Sequence, residues 1–340
     1  MISRQYCFVP AKVEIEEHHI GVYADKKDEH MVRAPHPKAL LHGSLVSPSL
    51  GAAVMNGKYV NAVPLYRLEK EFERYGLAIS RANMANWMIR LSEEYLSVFY
   101  DHLHRKIYDF DVIGADETPV EVNKDGRPAG SKSYIWVYRS GEIISTHHIV
   151  LYEYQKTRNA SHPVRFLKDY EGICVTDGYQ VYHSAEKTLE HVTIAGCWVH
   201  ARRYFDEALK IIPQAVRSKS WGYLVMKQIQ AIYREEGKLA RAVTYLLNQE
   251  KYLRVFLENG EVPMDNNVSE RAIRGAENSA IIYSIAETAK ANDLKPYEYF
   301  EHLLTEIPNH MEDTNRSFLD DLLPWSEKLP KEIKKINKRS

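Results

Sequence analysis

The chain has 340 residues, of which 44% are hydrophobic and 27% are charged, as in an ordinary soluble globular protein. Its formal net charge of −1 gives no global basic signature for nucleic acid, although charge can still be segregated within the chain. Three cysteines (Cys7, Cys174 and Cys197) are too few and too scattered for a disulfide framework, which predicts a reduced, cytoplasmic protein. The chain start lacks an apolar signal core, and no apolar run reaches about 18 residues. We therefore expect neither secretion nor a membrane span.

Residues 1–45 are expected to form short strands and loops, with strands at 7–9, 13–15 and 18–23. Histidines in this part have spacings that match no ligand motif, and no cysteines accompany them, so we expect no metal site there.

Residues 46–105 are expected to be helical and to resemble a helix-turn-helix unit. Leu65, Leu68 and Phe72 recur at helical spacing, Gly76 ends that helix, and Ser80 can cap the next one. A helix-turn-helix would place its second helix in a DNA major groove. The alternative is a plain pair of antiparallel helices packed on the core.

After Tyr108 the pattern changes from helical to strand-like. Runs rich in β-branched and aromatic residues predict strands, and the first of them is expected to end in acid at Asp116. The later strands alternate with helices, which suits a mixed α/β fold with a ribonuclease H-like catalytic core over residues 106–280. The predicted strands are 110–116, 133–138, 143–152, 173–175 and 193–198.

The remaining segments are expected to be mainly helical. Residues 205–257 would be a helical insertion in the core, and residues 281–326 a helical C-terminal element. Ser284 followed by Glu287 fits a capping box, which predicts a helix start there. Residues 327–340 form a basic tail.

Three acidic residues are candidates for one metal-dependent site. Asp116 and Asp177 follow predicted strands, and Glu270 lies on a predicted helix. Carboxylate oxygens are the ligands that Mg²⁺ prefers, and a pair of such ions can activate one oxygen of a phosphodiester and stabilise another. We expect Asp116 to bridge two Mg²⁺ ions, with Asp177 and Glu270 each completing one; Mn²⁺ can substitute.

Glu117 competes with Asp116 for this role, because neighbouring residues of a strand point to opposite faces and only one can reach the site. Tyr179 can orient a carboxylate, contact DNA or simply pack. Basic and amide side chains near the predicted helix starts are candidates for contacts with DNA. They are Arg81, Asn83, Asn86, His200, Arg202, Arg203, Arg271 and Arg274.

At these residues the sequence resembles the insertion sequence 66 family of bacterial DDE transposases. The resemblance rests on five stretches in the expected order: ADETPV (115–120), TDGY (176–179), AGCWVHARR (195–203), DNNVSERAIR (265–274) and IYSIAETAK (282–290). It implies a Mg²⁺-dependent transposase with Asp116, Asp177 and Glu270 as its triad. Such an enzyme would cleave the ends of its mobile element and join the freed 3′-hydroxyls to target DNA. Further implications are a homodimer on DNA and a location at the bacterial nucleoid.

The chain also departs from the family pattern. An N-terminal leucine-rich helix and a cysteine-type zinc segment are not visible before Tyr6. The helical stretch between Asp177 and Glu270 is shortened near 239–245 relative to the family. The segment after Arg274 lacks the family's basic, Trp-containing part. These departures predict an N-terminally truncated copy with internal deletions. A catalytically inactive remnant is therefore one alternative. A nuclease without strand transfer and a non-catalytic DNA-binding protein acting through residues 64–100 are two others.

Overall fold

The computed structural model describes residues 12–24, 31–35, 38–122, 131–140, 146–234 and 277–335. Near its start, β1 (Val22–Ala24) pairs antiparallel with β2 (Met31–Arg33) in an exposed two-stranded ribbon. Residues 12–21 contain no strand, so the predicted strand at 13–15 is wrong and the one at 18–23 is displaced towards β1. The charged side chains of residues 12–19 are exposed and give no apolar face to bury. The strand predicted at 7–9 lies outside the described residues.

A five-stranded mixed sheet forms the centre of the structure. Its strands are β3 (Val112–Glu121), β4 (Lys132–Ser140), β5 (Val150–Gln155), β6 (Gly172–Thr176) and β7 (Val192–Gly196), in the spatial order β5-β4-β3-β6-β7. The first three are antiparallel neighbours, whereas β3, β6 and β7 run parallel. The predicted mixed α/β class is therefore confirmed.

Several strand boundaries differ from the prediction. β7 ends at Gly196 and Trp198 is already helical, so the predicted strand end at 198 is wrong. β3 continues through Asp116 to Glu121 because its whole length pairs with β4. β5 begins at Val150, so the predicted strand is wrong over residues 146–149, whereas residues 143–145 lie outside the described residues. The side chain of Asn292 takes both backbone groups of His148, accepting from its N–H (3.0 Å) and donating to its carbonyl (2.6 Å), so no pairing with β4 extends there.

Helices precede, interrupt and follow the sheet. Before it lie α1 (Pro48–Met55), α2 (Leu65–Arg74), α3 (Arg81–Leu91) and α4 (Ser97–Lys106). Between or after its strands lie α5 (Ser161–Phe166), α6 (Gln180–Glu186), α7 (Trp198–Ile211), α8 (Gln214–Arg217) and α9 (Trp221–Arg234). The C-terminal part contains α10 (Glu277–Ala291), α11 (Pro296–Asn309) and α12 (Phe318–Asp321). Not one of these described helices has the length and apolarity needed to cross a membrane.

The local signals for α2 and α3 are confirmed. Gly76 adopts φ +81°, the left-handed conformation that glycine allows after a helix. The Ser80 hydroxyl accepts a hydrogen bond from the Asn83 N–H at 3.1 Å and so caps α3. Met84 and Leu91 of α3 are fully buried in the main core.

One hydrophobic core joins the N-terminal helices, one face of the sheet and the C-terminal helices. Trp136 and Tyr138 of β4 and Phe166 of α5 are among its fully buried large side chains. This core includes residues from Leu40 to Ile333. The helices that precede the sheet in the sequence therefore pack together with the helices that follow it.

Helix α10 covers the free edge of β5 with side-chain hydroxyls. The Ser284 hydroxyl accepts from the Tyr152 N–H at 2.8 Å. The Thr288 hydroxyl accepts from the Val150 N–H and donates to the Val150 carbonyl, both at 3.0 Å. The capping-box prediction at Ser284 is therefore wrong: α10 begins at Glu277, and Ser284 lies inside it. Edge strands otherwise present unpaired backbone groups, and these side chains satisfy them.

We expect Thr288→Val to lower the free energy of unfolding by about 1–3 kcal/mol, because it leaves the buried N–H and carbonyl of Val150 without their partner. Urea denaturation followed by circular dichroism measures the change. Thr305→Val is the matched control, since the Thr305 hydroxyl is exposed and donates only to the Glu301 carbonyl of its own helix. Equal stability losses in the two variants would contradict this role of Thr288.

Candidate active site

Asp116 and Asp177 lie side by side at one edge of the sheet. β3 and β6 are parallel, with Val112 opposite Ile173 and Gly114 opposite Val175. Each aspartate comes two residues after the last of these pairs, and residues two apart share a face of a strand. Both aspartates therefore lie beyond the paired part of β3 and β6, on neighbouring chain segments whose backbones are about 5 Å apart.

Asp116 is not at the end of its own strand, which corrects the prediction. It lies where β6 has ended and only β4 still pairs with β3. Asp177 directly follows β6, as predicted. The site is thus an opening beside β3 at the carboxyl ends of the parallel strands, the place where open α/β sheets bind ligands.

Backbone N–H groups hold both aspartates. The Glu117 N–H donates to Asp116 Oδ1 at 2.9 Å, and the Tyr179 N–H donates to Asp177 Oδ1 at 3.0 Å. The second bond is an Asx turn, in which a short acidic side chain fixes the backbone two residues ahead. Both aspartates are half-buried, so their carboxylates are partly accessible from solvent.

Glu117 lies on the opposite face of β3 and has its own partners. Its side chain is fully buried. Arg158 Nε donates to Glu117 Oε1 at 2.7 Å, a second guanidinium nitrogen contacts the same oxygen, and the Tyr182 hydroxyl donates to Oε2 at 2.5 Å. Both oxygens of Glu117 are thus engaged by Arg158 and Tyr182.

The environment of Glu117 sets the direction of its pKa. Burial raises the pKa of this carboxyl above its ordinary value, and the nearby charge of Asp177 adds to the rise. The hydrogen bonds from Tyr182 and Arg158 act in the opposite direction. Arg158 therefore supplies a positive charge next to two acids, Glu117 and Asp177.

Among the candidate DNA contacts, Arg81, Asn83 and Asn86 of α3 are exposed. Helix α7 starts at the same sheet edge as the aspartates, since the Cys197 N–H donates to the Thr176 carbonyl at 2.8 Å. Its Arg202 and Arg203 are exposed, and His200 is half-buried. The structure thus separates the candidates into two groups, one on α3 and one near the aspartate pair.

The third acid and two arginines of the prediction, Glu270, Arg271 and Arg274, lie outside the described residues. Within the parts of the chain that the structure describes, no group of three or more His, Cys, Asp or Glu side chains is placed to hold a metal ion. The described site therefore consists of the two aspartates and the Glu117 cluster behind them.

Arg158 and Tyr182 were not predicted from the sequence as site residues. Arg158 follows β5, which runs parallel to β3, so it lies at the same sheet edge. A basic residue three positions after the end of a strand at that edge was the available signal. Tyr182 lies on α6, which begins three residues after Asp177.

Comparisons with known proteins point to one family. The family described as "Transposase IS66 family" matches residues 43–240 and 223–292, and "IS66 C-terminal element" matches residues 284–325. Two relatives from Sinorhizobium fredii (strain NBRC 101917 / NGR234) are described as uncharacterized proteins. The protein y4qI is 26% identical over 96% of this chain and 71% of its own length. The protein y4jD is 24% identical over 94% of this chain and 74% of its own length.

Solved structures give a much weaker likeness. A Mos1 transposase paired-end complex with the left transposon end has a TM-score of 0.17 and 13% identity, over 78% of this chain and 80% of its own. A pre-cleavage Mos1 transpososome has a TM-score of 0.18 and 10% identity, over 83% and 82%. TM-scores of this size do not establish a common fold. The two family matches, by contrast, extend over most of the sequence from residue 43 to residue 325, and the chain belongs to the IS66 transposase family.

Proposed function

We propose that this transposase is a metal-dependent DNA-cleaving and strand-transferring enzyme with a ribonuclease H-like core, and that Asp116, Asp177 and Glu270 hold its metal ions. The observation that carries the proposal is the placement of Asp116 and Asp177 beside each other, where the paired part of two adjacent parallel strands ends. Two strand-borne aspartates with a further acid are what a two-metal phosphodiester site needs.

The described residues fit a hard divalent cation. Asp116 and Asp177 offer carboxylate oxygens, which Mg²⁺ and Mn²⁺ prefer as ligands over soft sulfur. Two neighbouring carboxylates repel each other, and a bound cation removes that repulsion. When bound, the ions would activate the attacking oxygen and stabilise the leaving oxygen of the phosphodiester.

The direction of α10 supports Glu270 as the third ligand. Along α10, Ser284 meets Tyr152 and Thr288 meets Val150, so the helix runs against β5 and its start points to the sheet edge of the aspartates. Tyr152, Val137 and Asp116 form one rung across three strands, which is about 10 Å wide. Glu270 precedes Glu277 by seven residues, which can span up to about 25 Å. Glu270 can therefore reach the pair.

DNA would contact two surfaces. Arg202 and Arg203 at the start of α7, with Arg271 and Arg274 near Glu270, would bind phosphates beside the scissile bond. The exposed α3 residues Arg81, Asn83 and Asn86 would read the element ends in a major groove. A dimer would bring two such ends together, and a nucleoid location would follow from the DNA contacts.

The test is cleavage of DNA carrying the flanking element ends. Wild type and Asp116→Ala are incubated with Mg²⁺ or Mn²⁺, and with EDTA, on the end sequences and on unrelated DNA of the same length. We expect metal-dependent nicking at the ends and joined products on target DNA, both lost in Asp116→Ala while DNA binding persists.

The same assay separates the alternatives. Hydrolysis of unrelated DNA without joined products would support a nuclease instead. DNA binding that Asp116→Ala leaves intact, with no nicking by the folded wild type, would support a binding protein or an inactive remnant.

A further inference from the structure

Arg158 connects Glu117 to the turn that carries Asp177. Its guanidinium donates to Glu117 and lies over the ring of Tyr179, with Cζ at 3.6 Å from the ring centroid. This distance is well within the range of a cation–π contact. The Arg158 side chain is about one third exposed, whereas that of Glu117 is fully buried. Arg158 is thus fixed on one side by a buried carboxylate and on the other by an aromatic ring.

Tyr179 is linked to Asp177 through its backbone. Its N–H donates to Asp177 Oδ1, so a shift of Tyr179 would shift the carboxylate that it holds. Tyr179 also precedes α6 and makes no side-chain capping bond to that helix. The side chain of Tyr179 stacks with Arg158. Gly178 is the only residue between Tyr179 and Asp177 in the sequence.

A second ion pair in the same sheet has the same chemistry without this link. Glu153 of β5 lies on the same rung as Glu117, with Trp136 between them. Arg165 donates to Glu153 Oε1 at 2.7 Å. Both arginines come from the segment that follows β5, and both acids are buried or half-buried on the sheet. Arg165, however, lies on α5 rather than against the Asp177 turn, which makes it a matched comparison.

We propose that Arg158 is a positioning residue for the metal site: anchored by Glu117, it holds Tyr179 and thereby keeps Asp177 in place to bind a divalent cation together with Asp116. This inference rests on the proposed function. Residues that orient a metal ligand typically contribute about 10–100-fold to metal affinity, although they do not touch the ion. Glu117 then acts as the fixed base of the arrangement rather than as a ligand.

The experiment measures Mn²⁺ binding to the full chain by electron paramagnetic resonance of the free ion, without DNA. Wild type, Arg158→Gln, Arg165→Gln and Asp177→Asn are compared, and thermal unfolding is recorded for each. We expect Arg158→Gln to bind Mn²⁺ about tenfold more weakly. Arg165→Gln should bind within about twofold of the wild type. Asp177→Asn should lose most of the binding.

A second pair of variants tests the link through Tyr179 and covers the case in which Arg158→Gln does not fold. Tyr179→Phe keeps the ring and should retain wild-type Mn²⁺ affinity. Tyr179→Leu removes the ring and should weaken binding as Arg158→Gln does. Arg158→Lys keeps the positive charge but not the planar guanidinium. Its Mn²⁺ affinity should lie between that of the wild type and that of Arg158→Gln.

The outcomes separate the two proposals. Wild-type affinity in both Arg158→Gln and Tyr179→Leu, with Asp177→Asn impaired, would overturn the positioning role and leave the metal site intact. Equal losses in Arg158→Gln and Arg165→Gln would show a general effect of removing an arginine that pairs with a glutamate of the sheet, and would also overturn the positioning role. No Mn²⁺ binding by the folded wild type would overturn the positioning role together with the proposed function.

Discussion

Asp177→Asn is expected to lower the rate of metal-dependent DNA cleavage by about a thousandfold or more, which corresponds to about 4 kcal/mol of transition-state stabilisation. Asparagine keeps the size of the side chain and can still accept the hydrogen bond from the Tyr179 N–H. It removes the negative charge that would hold a hard divalent cation next to Asp116. The change therefore tests the charge of the site with little change in its shape. Single-turnover cleavage of end DNA at saturating Mg²⁺ gives the rate.

Asp111→Asn is the matched control. Asp111 immediately precedes β3, so it lies at the opposite end of the strand that carries Asp116, and it is exposed. Its substitution removes the same charge from the opposite edge of the sheet, and we expect a rate within about twofold of the wild type, since single exposed charges away from such sites have small effects. A similar loss in both variants would point to net charge rather than to a site at the carboxyl edge. Unchanged cleavage by Asp177→Asn would remove Asp177 from the mechanism.

The largest effect on stability is expected from Phe166→Ala, which should lower the free energy of unfolding by about 3–5 kcal/mol. Phe166 is fully buried between two other rings. Its ring centroid lies 3.4 Å from that of Tyr138 on β4, with the planes 5° apart. On the other side it lies 4.0 Å from that of His104 on α4. Removing the ring leaves a cavity where α4, α5 and β4 meet. Urea denaturation measures the loss.

Two variants show whether the loss comes from the cavity. Phe166→Leu fills part of the space and should cost less than Phe166→Ala. Tyr66→Ala removes an aromatic ring that is 54% exposed on α2, and should change stability by no more than about 0.5 kcal/mol. A Phe166→Ala variant as stable as Tyr66→Ala would show that the three-ring stack does not join the N-terminal helices to the sheet.

The positions of three sheet strands and of the turn between α2 and α3 followed from local sequence. Runs of β-branched and aromatic residues identified β4, β6 and β7, because such side chains favour half-buried extended backbone. Gly76 and Ser80 marked the end of α2 and the start of α3, since helix ends depend on a few neighbouring residues. The same reasoning placed Asp177 directly after a strand. Family membership was likewise visible in short motifs such as TDGY.

The tertiary structure determined which residues contact one another. The sequence left Asp116 and Glu117 as competitors, and the structure placed Glu117 against Arg158, 41 residues away, and Tyr182, 65 residues away. Ser284 looked like a helix cap, but its hydroxyl binds the edge of β5, 132 residues away. These contacts depend on strand register and on which helix covers which edge. Register and packing arise from the whole chain, so a local pattern predicts the elements and their chemistry but not their partners.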